Sequence, residues 1–341
     1  MPSQLYGMIH IRLAMAYTRR ISAALFPIIL LSLSKRIHAQ TLQGCAAVDC
    51  PNRYEDMLSP TCQVQSTDMR LVGLLTTKSQ LAQTDLTWTI GDSGLHSTIE
   101  SNERTVTRSF YIGTPEKLDL TSSDLSFKGC AIFVISPETG AYQVYDQGAP
   151  QYVNTASCVG SMGETCVSNL TVRAGQLARS SSGSDAGTFC RDIADGLREN
   201  APSSCYILSQ KPRIEAVALT GSTAPKPIAS GENSTSNCWP TLPKTNELTK
   251  VFEYDHVAGL NETVPWLGYT PLLTVYSGNE TDFDVEVDLA CMKIVDSDNF
   301  SASTKMNGTG IADQKGDANS IRHDRWTFVV FLMSAWLLAL L

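Results

Sequence analysis

Histidine, Cys-x-x-Cys pairs and basic runs are scarce or missing in this chain, and each shortage argues against a chemistry. Of five histidines in 341 residues, His10, His38 and His323 sit near the ends, leaving His96 and His256 between them. With no Cys-x-x-Cys pair and so few imidazoles, a structural zinc site is disfavoured. No Gly-x-Ser-x-Gly elbow is present, which argues against an esterase of the familiar type. No glycine-rich phosphate loop occurs, so no nucleotide site is expected. Acids outnumber bases, with Asp+Glu 34 against Lys+Arg 26 and a net charge of −8. That balance argues against partners with phosphate backbones or anionic lipid heads. Neither apolar stretch of the chain reaches the roughly 20 residues that a membrane-spanning helix needs.

Those two stretches lie at opposite ends. Residues 21–33 are apolar, Arg19 and Arg20 precede them, and Ile37-His38-Ala39 offers a small residue before Gln40. This order of charged, apolar and small residues predicts a secretory signal peptide over 1–39, with Met15 as an alternative start. An uncleaved amino-terminal anchor is the rival reading. Trp326 to Leu341 is apolar, with no Lys or Arg after it, and as a helix it would reach about 24 Å. Small and polar residues at Gly316-Asp317-Ala318-Asn319-Ser320 come shortly before it. Small residues, a polar spacer and an apolar tail form the attachment signal for a GPI lipid. The expected organisation is a signal peptide at 1–39, an extracellular domain at 40–300, a polar stalk at 301–316 and a removed propeptide at 317–341. Gly316, Asp317 and Asn307 are the candidate anchor residues.

All ten cysteines fall between these signals: Cys45, Cys50, Cys62, Cys130, Cys158, Cys166, Cys190, Cys205, Cys238 and Cys291. An even number in an exported chain implies up to five disulfides. Connectivity stays open. Short loops favour Cys50–Cys62 and Cys158–Cys166 as local guesses. Six glycosylation sequons, at Asn169, Asn233, Asn261, Asn279, Asn299 and Asn307, run from about the middle of the chain onwards and predict exposed loops.

Period-two alternation marks strands at 86–90 and 106–112, each expected to place one face on a core and the other in water. Residues 130–135 form a continuous apolar run, as in a buried central strand. Further strands are expected at 214–220, 272–276 and 283–289. The pattern changes to three- and four-residue steps at Val167, Leu170, Ala174 and Leu177, and again at Phe189, Ile193, Ala194 and Leu197. These predict two short helices that must dock on something larger. Residues 40–66 read as a cysteine-stapled cap, and 221–244 as a long loop held by Cys238. The fold class that follows is mainly β, or α+β: a disulfide-stapled β-sandwich with two short helices packed on it.

Four constellations invite a functional reading. Gly91-Asp92-Ser93-Gly94 resembles the serine motif of trypsin-like enzymes, but only His10 and His38 precede it, and a tight turn explains it better. Asp284, Glu286 and Asp288 alternate on one strand face, which suits a calcium site or a glycosidase carboxylate pair; a solvated strand face is the favoured alternative. His256 beside Asp255 reads as a surface hydrogen-bond partner rather than a base. Trp239, Trp266 and Tyr269 are loop aromatics, either stacking on sugars or plugging the core.

The strings Leu86-Thr-Trp88-Thr-Ile90-Gly91, Phe110-Tyr-Ile-Gly-Thr-Pro115, Gly129-Cys-Ala-Ile-Phe133 and Cys166-Val-Ser-Asn-Leu170, with Cys158 and Cys291, resemble a group of fungal secreted, GPI-anchored surface proteins of unknown function. The resemblance covers most of the chain between the terminal signals. It implies a fungal cell surface and supplies no catalytic residues. The expected role is a GPI-anchored, non-catalytic surface glycoprotein at the plasma membrane or cell wall, held to the membrane through its lipid. Cell-wall polysaccharide is a candidate partner; no cofactor, metal or nucleic acid is expected. The alternative is a secreted carbohydrate-active enzyme or sugar-binding module, resting on Asp284, Glu286 or Asp288 near Trp239 or Trp266.

Overall fold

The computed structural model describes residues 41–51, 62–93, 96–97, 103–137, 141–142, 145–146, 149–150, 156–181, 185–229, 232–259, 268–278 and 284–295. Within them the fold is mainly β, a disulfide-stapled sandwich. The strands in chain order are β1 (Cys62–Val64), β2 (Thr67–Met69), β3 (Leu71–Ser79), β4 (Thr84–Asp92), β5 (His96–Ser97), β6 (Glu103–Thr114), β7 (Phe127–Ile135), β8 (Tyr145–Asp146), β9 (Ala149–Pro150), β10 (Arg213–Ala218), β11 (Glu247–Gly259), β12 (Thr270–Gly278) and β13 (Val285–Met292). The helices are α1 (Val159–Met162), α2 (Glu164–Ser180), α3 (Ala186–Glu199) and α4 (Tyr206–Ser209).

Two antiparallel sheets carry the architecture. One runs β11-β6-β4-β3, with β5 also on β6; the other runs β10-β7-β12-β13. The chain crosses between them repeatedly, so neither sheet is a local product. Their facing sides enclose an aromatic core: Trp88, Phe110, Phe133 and Phe252, with Leu272 and Met292. Phe110 and Phe133 lie 4.7 Å apart between centroids, and Phe133 stacks on Phe252 at 4.7 Å. The central place of β7, paired with β10 on one side and β12 on the other, accounts for its unbroken apolar run. Both of its faces are buried.

The outer face of the four-stranded sheet is covered by helices. Ile132, Val134, Leu273, Val275 and Leu289 meet Val167, Leu170, Ala174, Phe189, Ile193 and Leu197. These are the helical faces that the three- and four-residue spacing predicts. Asp185 caps α3, its carboxylate accepting from the Thr188 N–H at 2.9 Å. Cys130–Cys190 ties α3 to β7, Cys158–Cys291 ties the start of α1 to β13, and Cys166–Cys205 joins α2 to the turn before α4.

The outer face of the five-stranded sheet is covered by irregular chain. Val72, Leu74, Tyr111 and Leu248 pack against Val48, Val64, Cys238 and Leu242. The expectation that β4 and β6 keep one face in water is therefore corrected. Thr87 and Thr89 are fully buried beneath residues 238–242. Thr87 Oγ1 donates to the Leu242 carbonyl at 2.5 Å, and Thr89 Oγ1 donates to the Pro240 carbonyl at 2.7 Å. Gly113 belongs to the same contact: a Cβ there would lie 1.8 Å from Thr241 Oγ1.

The edge strand β3 is covered too. Gln43 and Leu74 exchange two backbone hydrogen bonds of 2.8 Å, and the Val295 N–H donates to the Val72 carbonyl at 3.0 Å. Pairing of this kind removes an exposed edge. The sequence pattern predicts no strand at 71–79 or at 247–259. β3 lacks alternation because both its faces are buried. β11 hides its alternation behind an extra residue between Lys250 and Phe252, where the register shifts. Leu248 before the bulge faces outward, and Tyr254 after it faces the sandwich core, although both numbers are even.

The local disulfide guesses fail. Cys62 pairs with Cys238, not Cys50, and Cys158 pairs with Cys291, not Cys166. Strand pairing brings together cysteines far apart in sequence, which loop length cannot anticipate. Among the described residues, no helix is long and apolar enough to cross a membrane.

Candidate functional site

Two polar assemblies stand out: a charged rung inside the sandwich and a polar cleft on the irregular cover. The rung lies at one end of the aromatic core, where β4, β6 and β11 align Asp92, Arg108 and Tyr254 across the sheet. Arg108 is bidentate to Asp92, with Nε to Oδ1 at 2.7 Å and Nη2 to Oδ2 at 2.6 Å. Its Nη1 donates to the Gly268 carbonyl at 3.3 Å and to Thr270 Oγ1 at 3.2 Å. Tyr254 Oη and Thr270 Oγ1 are 2.9 Å apart. Arg108 is 0% and Asp92 1% exposed, so the pair has left water entirely. Burial works against the guanidinium charge, yet the adjoining Asp92 carboxylate and Tyr254 together outweigh it and hold the Arg108 pKa above its ordinary value. Breaking such a pair on one side strands a buried charge.

His256 is two residues beyond Tyr254 on β11, with its ring centroid 6.1 Å from that of Tyr254. It is 5% exposed, and neither ring nitrogen has a hydrogen-bond partner. Burial, with the positive Arg108 nearby, pulls its pKa down to about 4. The surface hydrogen-bond reading of His256 is thus corrected: it is a buried neutral imidazole. The turn reading of Gly91-Asp92 is corrected as well, because β4 continues through Asp92 so that its carboxylate can meet Arg108. Ser93 Oγ accepts the Thr107 N–H at 2.8 Å, a contact at the end of the strand. Lys293, near the end of the described chain, is 2% exposed, and burial lowers its pKa to about 7.

The second assembly lies where residues 45–50 meet residues 232–244. Cys45–Val48 form a 3-10 turn, and Asp49 then adopts a left-handed conformation, with φ 48°. That reversal lets the Cys50 N–H donate to the Cys45 carbonyl at 3.1 Å. A cleft of about 270 Å³ opens beside it, lined by Asp49, Asn233, Asn237, Cys238, Trp239 and Lys244 among others. Lys244 and Asp49 form an ion pair at its rim. The Trp239 indole N–H donates to the Asn246 carbonyl at 2.8 Å, which orients the ring. Segment 236–238 is clasped to β1: Gln63 N–H to Asn237 Oδ1 at 2.7 Å, Asn237 N–H to the Gln63 carbonyl at 3.0 Å, and the Cys62–Cys238 disulfide.

The carboxylates of Asp284, Glu286 and Asp288 form no common centre. Glu286 accepts from Ser79 Oγ at 3.1 Å and from the Gln80 and Leu81 N–H groups at 3.0 and 3.4 Å, and so caps the β3–β4 turn. Asp284 and Asp288 are exposed. Trp239 sits on the other sheet's cover, so the acids and this aromatic are not brought together. Tyr269 is a core plug, 2% exposed and 5.9 Å from Tyr142. Trp266 and Phe283 lie outside the described residues.

Of the sequons, Asn169 is exposed, but on helix α2 rather than a loop, its Nδ2 donating to Ser204 Oγ at 3.0 Å. Asn233 is half-buried in a 3-10 turn, and its Oδ1 has no hydrogen-bond partner. Asn261, Asn279, Asn299 and Asn307, and the anchor candidates Gly316 and Asp317, lie outside the described residues.

Arg108, Tyr254 and Thr270 belong to no motif that marks them in the sequence. Arg108 carries the one usable signal: a lone cation at a core-facing position of the alternating 106–112 strand. Comparison of the chain with protein-family models, with curated proteins and with solved structures finds no match.

Proposed function

We propose that this protein is a GPI-anchored, non-catalytic surface glycoprotein of the fungal type, with a structural or binding role at the plasma membrane or cell wall. One observation carries the non-catalytic part. The residues that most resemble catalytic groups are consumed by the fold: Asp92 by Arg108, and Glu286 by the β3–β4 turn. Four disulfides suit an exported chain. The apolar stretch at 21–33, and the polar segment before the apolar stretch at 326–341, support the anchored route. Among the described residues, Val172 and Tyr206 are the large apolar side chains left exposed. The surface is therefore suited to a polar partner.

A second reading, sugar binding, has its own support. Trp239 lines an open cleft together with amide groups of Asn233 and Asn237. An aromatic face beside amides is a chemistry that recognises carbohydrate.

Expression of the full gene in a fungal host, followed by a phosphatidylinositol-specific phospholipase, tests the anchor. Release of the full-length form, and free secretion of a form ending at Asp324, are expected. Recovery of a carboxyl-terminal peptide intact through Leu341 would overturn it. Glycan-array binding that Trp239→Ala abolishes would establish the second reading.

A further inference from the structure

Four of the ten cysteines gather on the irregular cover, and they are not all spent. Cys45 and Cys50 are thiols, both half-buried, while Cys62 and Cys238 are joined. Cys50 Sγ lies 3.6 Å from Cys238 Sγ. The sulfurs of Cys50, Cys62 and Cys238 all fall within 4.8 Å of one another. The turn at 45–50 folds the Cys50 backbone onto Cys45, and the two thiols are hydrogen-bonded. A disulfide thus has a dithiol beside it. The disulfide itself is shielded: Cys62 is 0% and Cys238 7% exposed. Bulk thiols reach it poorly, and Cys50 is the thiol already at van der Waals distance.

We propose that Cys45 and Cys50 form an internal dithiol donor that exchanges with the Cys62–Cys238 disulfide and so unlocks the clasp between β1 and segment 236–238. The steps balance without an external oxidant. The Cys50 thiolate attacks Cys238 Sγ, a Cys50–Cys238 bond forms, and Cys62 leaves as a thiolate that takes up the proton Cys50 lost. The Cys45 thiolate then attacks Cys50 Sγ. A Cys45–Cys50 disulfide forms, and Cys238 leaves and takes up the second proton. Cys45 and Cys50 are oxidised by two electrons; Cys62 and Cys238 are reduced by two.

The sulfurs are mutually close rather than collinear, so attack in line with the disulfide requires rotation of the Cys50 side chain. The hydrogen bond to Cys45, and then burial, raise the Cys50 pKa above the ordinary thiol value. The resting dithiol is therefore protonated and the exchange slow near neutrality, because only the thiolate attacks. After exchange the clasp loses its covalent bond and is left with apolar packing and hydrogen bonds, those between Gln63 and Asn237 and the Gln65 N–H to Ser236 Oγ at 2.8 Å.

The decisive variant is Cys45→Ser in the full chain, which stops the relay at its midpoint with one thiol and one disulfide among three sulfurs. The secreted protein is held at pH 7, 8 and 9, acid-quenched, labelled with N-ethylmaleimide and mapped by peptide mass spectrometry. Label is expected to move from Cys50 to Cys62 while a Cys50–Cys238 linked peptide accumulates, about tenfold faster per pH unit. In the unmodified protein, label is expected on Cys62 and Cys238 with a linked Cys45–Cys50 peptide. Label that stays on Cys50 at every pH, with Cys62–Cys238 intact, would overturn the proposal. So would a Cys50–Cys62 linkage with label on Cys238, since the attack would then be on the other sulfur. The Cys45→Ser/Cys50→Ser double variant, with the same circular dichroism and an intact Cys62–Cys238 peptide, controls for the fold. If Cys45→Ser is not secreted, Cys45→Ala carries the same readout.

Discussion

The two sheets are each covered on the outside, one by helices and the other by loops, and the covers obey different chemistry. Helices α2 and α3 satisfy most of their own backbone groups, so the sheet beneath need offer only apolar side chains: Ile132, Val134, Leu273 and Val275. The loop at 238–242 brings the Pro240 and Leu242 carbonyls, which belong to no helix or strand ladder, against the sheet. The sheet beneath it must supply donors, and it does so through Thr87 and Thr89. Buried backbone groups have to be paired, and this decides threonine over valine at those positions. The staples differ accordingly. Three disulfides serve the helical side, whereas one, Cys62–Cys238, holds the irregular side, with two thiols beside it.

The contrast can be broken most strongly from the helical side. Phe189→Ala removes a side chain 2% exposed in the helix–sheet core and is expected to cost about 3–5 kcal/mol in chemical denaturation. A loss below 1 kcal/mol would mean that the helices are ornaments on a self-sufficient sandwich.

The interior between the covers responds to pH through His256. Its folded pKa of about 4 lies below the ordinary 6.5, so the unfolded chain binds the proton first. Stability is full above pH 6.5 and falls as pH drops from 6.5 towards 4. The loss reaches about 3 kcal/mol for that separation of pKa values. His256→Phe is expected to flatten this part of the pH–stability curve measured by urea unfolding, and an unchanged slope would reject the assignment.

On the irregular side, Thr89→Val keeps the shape and removes the donor to the Pro240 carbonyl. A loss of about 1–3 kcal/mol is expected from the stranded acceptor. The same substitution should also speed amide hydrogen exchange in residues 238–246 without affecting α2 or α3. Uniform acceleration across both covers would erase the distinction drawn above. The smallest effect is at the helical rim: Asp185→Ala removes the cap on α3 and should cost about 1 kcal/mol.

Much of this was legible in the sequence, for identifiable reasons. Helical spacing exposed the docking faces of α2 and α3, because a helix repeats its contact every three or four residues whatever it packs on. The run Cys130–Ile135 announced a strand buried on both sides. β3 escaped notice because cover on both faces erases alternation, and β11 because its bulge inverts the alternation halfway. His256 looked like a surface residue because its neighbours Glu253 and Asp255 are charged. On a strand, neighbours point the other way.

What the sequence determined by itself is local and periodic: two docking helices, a central apolar strand, an even set of cysteines, and apolar segments towards each end. What tertiary structure decided is every pairing across long separations. Cys62 meets Cys238 across 176 residues, Arg108 on β6 reaches the carbonyl of Gly268 beyond β11, and Thr89 reaches the carbonyl of Pro240. Composition constrains each side chain's need for a partner, but only the crossing of two interleaved sheets chooses which partner arrives. That choice converted a serine-motif aspartate into one half of a buried ion pair, and left two thiols within reach of a disulfide.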